Sequence, residues 1–256
     1  MSSYLPGPEW PQMPNGGVPS APPRERFRPL GGKAKWARGV LMLLAAVLIV
    51  RSLAYVNMIG VMRRVIRDGN VSEEMLLDTD NLMGLADLAM FVVIVVAVVL
   101  FAVWFRAAYR NLRAMGEKQR FRQGWAVWGW LVPIVCFWKP KQLINDIRVA
   151  AQRRDPATAV TAARMDYFWL LVVATWVLGG IPTNMYESAV TAGEMRAYGY
   201  AELVWTVLML GYILAFVWYV GAVSVAQDRT AGTGDGEGDG VRSGSGPPEG
   251  PRAVSA

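Results

Sequence analysis

Four long apolar runs constrain this chain more than any other feature. They cover roughly residues 36–58, 82–105, 167–186 and 203–226. Each has about the ~20 residues a helix needs to cross the hydrocarbon core of a bilayer. A helix packed in a water-soluble core would carry polar residues at helical spacing, and these runs lack that interruption. The chain is 54% hydrophobic and its mean hydropathy is positive, above the share usual for a soluble domain. The expected fold class is therefore all-α integral membrane, with four transmembrane helices.

Outside the runs the composition changes. Residues 1–35 are rich in proline and glycine and have too little apolar content to bury a core, so a disordered cytoplasmic tail is expected there. No short apolar stretch with a small-residue cleavage site follows a basic start, so no cleavable signal is expected and the first span acts as its own insertion signal. Residues 36–226 form the expected membrane domain. Residues 227–256 read as a glycine-rich, linker-like, disordered tail. Its GDGEGDG stretch lacks the full calcium-loop pattern.

Charge between the runs predicts the topology. Residues 106–124 hold six basic residues against Glu117, and 139–166 hold six against three acidic ones. By contrast, 63–81 carries three basic and five acidic residues. Short loops rich in Lys and Arg stay on the cytoplasmic side. The N-terminal flank is also basic, with Arg24, Arg26, Arg28, Lys33, Lys35 and Arg38. The expected location is the cell membrane, multi-pass, with both termini cytoplasmic. A net charge of +6 fits an anionic lipid surface, and no basic soluble domain suggests nucleic acid as a partner.

One more apolar stretch, 125–138 (WAVWGWLVPIVCFW), lies between two basic flanks. As a straight helix it reaches ~21 Å at ~1.5 Å per residue, short of the ~30 Å core. Pro133 would break its backbone ladder. Trp125, Trp128, Trp130 and Trp138 suit the headgroup zone. A re-entrant or interfacial segment keeps both basic flanks inside and gives four spans. A full crossing would give five spans and an external C-terminus.

Two charges fall inside spans, Arg51 in the first and Asp87 in the second. Such residues are costly in lipid and are usually paired or functional. Counted from the outer ends of antiparallel helices, their depths differ by about 3 Å, so an intramembrane Arg51–Asp87 ion pair is expected. The plain reading is a pair that fixes helix register, or an arginine that snorkels. The sharper reading is a transport or ligand site. Arg106, Arg110 and Arg113 share one helix face, and with Trp125, Trp128, Lys139 and Lys141 they form the expected contact with anionic lipid headgroups. The plain reading there is ordinary positive-inside charge. Gly116 is placed to end the helix that carries the three arginines. Gly179, Gly180, Pro182, Thr183 and Asn184 predict a frayed end to the third span.

No catalytic constellation, zinc motif or phosphate loop is recognisable. The chain has no histidine, and Cys136 is its single cysteine. No enzyme activity, metal or cofactor is expected. The leading expectation is a non-catalytic scaffold or regulatory protein whose partners are the bilayer, anionic headgroups, and a membrane-protein partner or a second copy of the chain. The alternative is a small transporter or channel using Arg51 and Asp87.

The motifs RNLRAMG, GWAVWGWLVPIVCFWKP and INDIRVA, between Arg106 and Ala150, resemble actinobacterial membrane proteins carrying the domain of unknown function 4328. The resemblance extends over roughly 36–226 and is specific in its central part. It implies a membrane location and a helical fold, and supplies no mechanism. Family members often have Asn where this chain has Cys136, so any role of that Asn does not transfer.

Overall fold

The computed structural model describes residues 26–69, 71–132, 134–154, 156 and 162–234. Most of both expected tails, Pro133 and Asp155 lie outside them. The described residues form helices joined by turns, with no strand among them. The helices are α1 (Gly31–Asp68), α2 (Glu73–Ala114), α3 (Trp125–Leu131), α4 (Lys139–Arg154), α5 (Ala162–Ser188) and α6 (Ala192–Gly234), with a 3-10 turn at Val135–Phe137. Four of them, α1, α2, α5 and α6, are long and apolar enough to cross a membrane.

These helices overrun the expected spans at both ends, because polar caps extend them. Ser72 Oγ accepts from the Met75 amide at the start of α2, where Glu73 and Glu74 face the helix dipole. At α6, Thr191 and Glu194 form a reciprocal capping box. The expected acidic loop at 63–81 therefore shrinks to the short link between α1 and α2, and α6 runs on to Gly234. Gly69 and Gly116 take the positive φ angles that end α1 and α2.

The α1 helix packs between α2 and α6, and α5 packs on α6. At Gly199 a methyl group would lie 2.6 Å from Met58 Cε, so glycine permits the close approach of α6 to α1. The expected frayed end at Gly179–Asn184 is not found: α5 continues helically through Pro182 to Ser188. Proline removes the amide donor for Leu178 O, and the helix carries on past this single missing ladder bond. Asn184 Nδ2 donates to Gly180 O at 2.7 Å, and Thr183 Oγ1 to Gly179 O at 3.4 Å.

Residues 125–138 do not make one helix. The seven-residue α3 stops at Val132, which is extended (φ −81°, ψ 117°), the conformation favoured before proline. Ile134 follows at φ 68°, a strained setting for a β-branched side chain. Trp130 carries the packing of this segment. Its ring meets Phe101 and Phe105 of α2, Trp169 of α5 and Phe216 of α6, with centroids 5.5–6.4 Å apart. Phe101 and Phe105 lie 13 and nine residues before the end of α2, which places Trp130 ~14–20 Å along the bundle from that end. The exposed faces carry a belt of apolar side chains, among them Leu53, Leu85, Phe91, Val99, Val177 and Val207. Lipid covers such a surface at no cost; water does not.

Candidate functional site

Arg51 lies on the inner face of α1 and is buried. Tyr55, one turn further along, is on the same face. Tyr198 and Glu202 repeat that spacing on α6. The two helices run antiparallel, so the pairs meet. Arg51 Nη1 donates to Glu202 Oε2 at 2.9 Å, and Nη2 to the Tyr55 hydroxyl at 2.7 Å. The Tyr55 and Tyr198 hydroxyls are 2.9 Å apart, and Tyr198 donates to Glu202 Oε1 at 3.5 Å. The hydrogen bonds close a ring of four side chains from two helices.

Asp87 of α2 joins from outside the ring, accepting from Arg51 Nε at 2.6 Å. The structure thus brings the two sequence-predicted residues together, and adds Glu202 as a second carboxylate. The two carboxylates differ in setting: the Glu202 side chain is 10% exposed and that of Asp87 48%. The guanidinium also lies 4.6 Å from the Tyr55 ring centroid. A planar fork of five donors suits this arrangement better than a lysine would. Chemically, the cluster fixes three helices at one depth and leaves one carboxylate in excess.

Sequence reasoning missed Glu202, Tyr55 and Tyr198. Glu202 falls one residue before the expected fourth span, and tyrosines in apolar runs read as packing. The two i, i+4 pairs, Arg51–Tyr55 and Tyr198–Glu202, were the available signal.

The opposite end of the bundle holds the basic residues. Arg106 and Arg113 are exposed, Arg110 is half-buried, and both Arg110 and Arg113 interact with other groups of the protein. Trp128 is 61% exposed. Trp125 is half-buried against the core. Lys139 Nζ stands 3.6 Å from the Phe121 ring centroid and 5.2 Å from that of Trp125. Lys141 pairs with Asp166 at 3.0 Å. The predicted headgroup residues are therefore not equivalent: Arg106 and Trp128 face outward, whereas Lys139 and Lys141 brace the short helices.

Beneath them is a second polar network, made of neutral groups. Asn111 accepts from the Arg28 amide at 3.2 Å and donates to the Arg28 carbonyl at 2.9 Å and to Gln227 Oε1 at 3.2 Å. Gln227 Nε2 donates to Ala108 O at 3.2 Å, and Trp104 Nε1 to Ser224 Oγ at 2.9 Å. Asp228 accepts from the Leu30 and Gly31 amides at 2.8 and 2.9 Å and caps α1 from α6. Nearby, Arg120 pairs with the buried Asp146 at 3.1 Å. Burial pushes the Asp146 carboxyl above its ordinary value, against the pull of Arg120. Cys136 is buried in the 3-10 turn with no disulfide partner. No group of three or more His, Cys, Asp or Glu able to hold a metal ion occurs among the described residues.

Comparison with known proteins adds one match. A family model described as Domain of unknown function (DUF4328) covers residues 67–231, from the end of α1 into α6. No curated protein and no solved structure matches the chain. Asp87, Tyr198 and Glu202 fall within the matched stretch; Arg51 and Tyr55 precede it.

Proposed function

The chain belongs to the DUF4328 family, and we propose that it is a non-catalytic, multi-pass protein of the cell membrane, a small scaffold or regulatory component that engages anionic lipid headgroups or other membrane proteins. The observation that carries this reading is the packed aromatic layer across the bundle toward its basic end. Phe101, Trp130, Phe168 and Phe216 meet there edge to face, with Leu44, Leu48 and Trp104 buried alongside. Open grooves on the surface of the described residues lie on either side of it. One of about 770 Å³ is between α1 and α6 at the basic end. One of about 450 Å³ is between α1 and α2 at the other. A closely packed, layered interior of this kind suits a scaffold.

In this reading the basic end faces the cytoplasm with both termini, and 125–138 enters from that side and returns. Reporters fused after Arg154 and at Ala256 test the topology: both give cytoplasmic signals. A periplasmic signal at Ala256 with a cytoplasmic one after Arg154 would sink it.

A second reading, a small transporter or channel, draws on the half-exposed Asp87 beside Arg51. Proteoliposomes holding the full chain separate the two. The scaffold gives no ion or proton flux above empty vesicles. A flux abolished by Asp87→Asn would replace the scaffold reading with the transporter.

A further inference from the structure

The cavity between α1 and α6 at the basic end has an ordered polarity. Its lining is charged at Lys35, Arg38, Asp228 and Arg229 and becomes apolar toward Met42 and Val217, the end away from Gly31 and Asp228. Lys35 and Arg38 thus stand beside one carboxylate, Asp228, which is already engaged in capping α1, while Arg229 interacts within the protein. Lys35 and Arg38 are exposed and make no hydrogen bond or ion pair among the described residues. The Arg38 guanidinium lies across α6 at Gly221, where an added methyl group would stand 3.4 Å from it. At Gly39 an added methyl would meet nothing within 4 Å, so glycine leaves the groove open there. From Gly31 to Met42 the groove runs ~16 Å along α1 at ~1.5 Å per residue.

We infer that this groove binds one anionic phospholipid, its phosphate-bearing headgroup held by Lys35 and Arg38 and the upper part of one acyl chain lying over Gly39 toward Met42. This proposal deepens the anionic-lipid part of the function proposed above and rests on it. The charge balance selects the headgroup. A zwitterionic choline lipid would set its own cation beside Lys35 and Arg38, whereas phosphatidylglycerol would not. The change from charged lining near Gly31 to apolar lining at Met42 and Val217 selects an amphiphile over a soluble anion.

The test is native mass spectrometry of the full chain in detergent with dioleoyl phosphatidylglycerol or dioleoyl phosphatidylcholine. The wild type retains the glycerol lipid preferentially. Lys35→Ala with Arg38→Ala lowers its affinity about 25-fold, at about fivefold for each basic residue, and leaves the choline lipid unaffected. Gly39→Leu keeps every charge, fills open space and removes the bound lipid. It also keeps the thermal stability of the wild type, which separates loss of binding from loss of fold. Equal retention of both lipids by the wild type would overturn the groove and the anionic-lipid reading together. If groove variants keep the lipid while Arg106→Ala with Arg113→Ala loses it, the groove falls and the wider reading stands. A lipid adduct that forms only after removal of residues 235–256 would assign the groove to that acidic tail instead.

Discussion

The two polar regions of this bundle solve the same problem with different chemistry. Around Arg51, full charges from α1, α2 and α6 meet side chain to side chain. Around Asn111, neutral amides reach from α2 to the backbone before α1 and to Gln227 of α6. A charge left unpaired in a low-dielectric interior keeps its full desolvation cost, while an unpaired amide loses much less. The charged end therefore depends on every partner being present. The neutral end shares its load over several modest bonds and tolerates single losses.

The largest effect that tests this contrast is Arg51→Met. It strands two carboxylates and opens the tyrosine ring, and should cost about 3–5 kcal/mol, read as loss of stability in detergent unfolding. If Asn111→Ala costs as much, the contrast between the ends is wrong. A sharper test stays within the cluster. Glu202→Gln should destabilise more than Asp87→Asn, because the Glu202 carboxylate is 10% exposed and belongs to the ring, whereas Asp87 is half exposed and outside it. The reverse order would restore Asp87 as the principal partner.

That ranking also marks how far the sequence could be read. The spans were legible because lipid demands a continuous apolar run, and Arg51 and Asp87 stood out as charges within such runs. Depth counting on two antiparallel helices was enough to bring them together. Glu202 was not legible by the same route, since the start of α6 was set at the apolar boundary. Its helix begins ten residues earlier, at the Thr191–Glu194 capping box, a signal that composition does not carry. Pro182 misled for a different reason: a proline removes a single ladder bond, and the packing of α5 on α6 carries the helix past it. The short stretch 125–138 was legible as too short to cross. Its keystone was not, because all four tryptophans have the same signature in sequence, and packing alone distinguishes the inserted Trp130 from the exposed Trp128.

At the neutral end, Asn111→Ala removes a donor and an acceptor that pair with the Arg28 backbone, and takes one donor from Gln227 Oε1. An unsatisfied buried neutral group costs about 1–3 kcal/mol, so the loss should fall clearly below that of Arg51→Met. Asn111→Asp offers a finer probe. It keeps the acceptor for the Arg28 amide and turns the donor into a charge facing the Arg28 carbonyl. If the neutrality of this network matters, Asp is tolerated less well than Ala in the same unfolding assay.

The smallest expected effect concerns the one buried charge at the basic end. Asp146 lies beneath Arg120 and receives a 3.4 Å hydrogen bond from Tyr109. Burial raises its pKa in the folded protein above the ordinary 3.8, so the folded state holds the proton more tightly than the unfolded one. The resulting stability is fully present below pH 3.8 and is lost as pH rises through the folded value. Asp146→Asn removes that titration and the ion pair together. Because Arg120 is two-thirds exposed, the lost pair is worth little. The variant should lie within about 0.5 kcal/mol of the wild type near neutral pH, and its unfolding midpoint should fall less as pH rises from 3.8. A drop as large as that of Glu202→Gln would mean that the basic end, too, rests on charge, and the division between the two regions would fail.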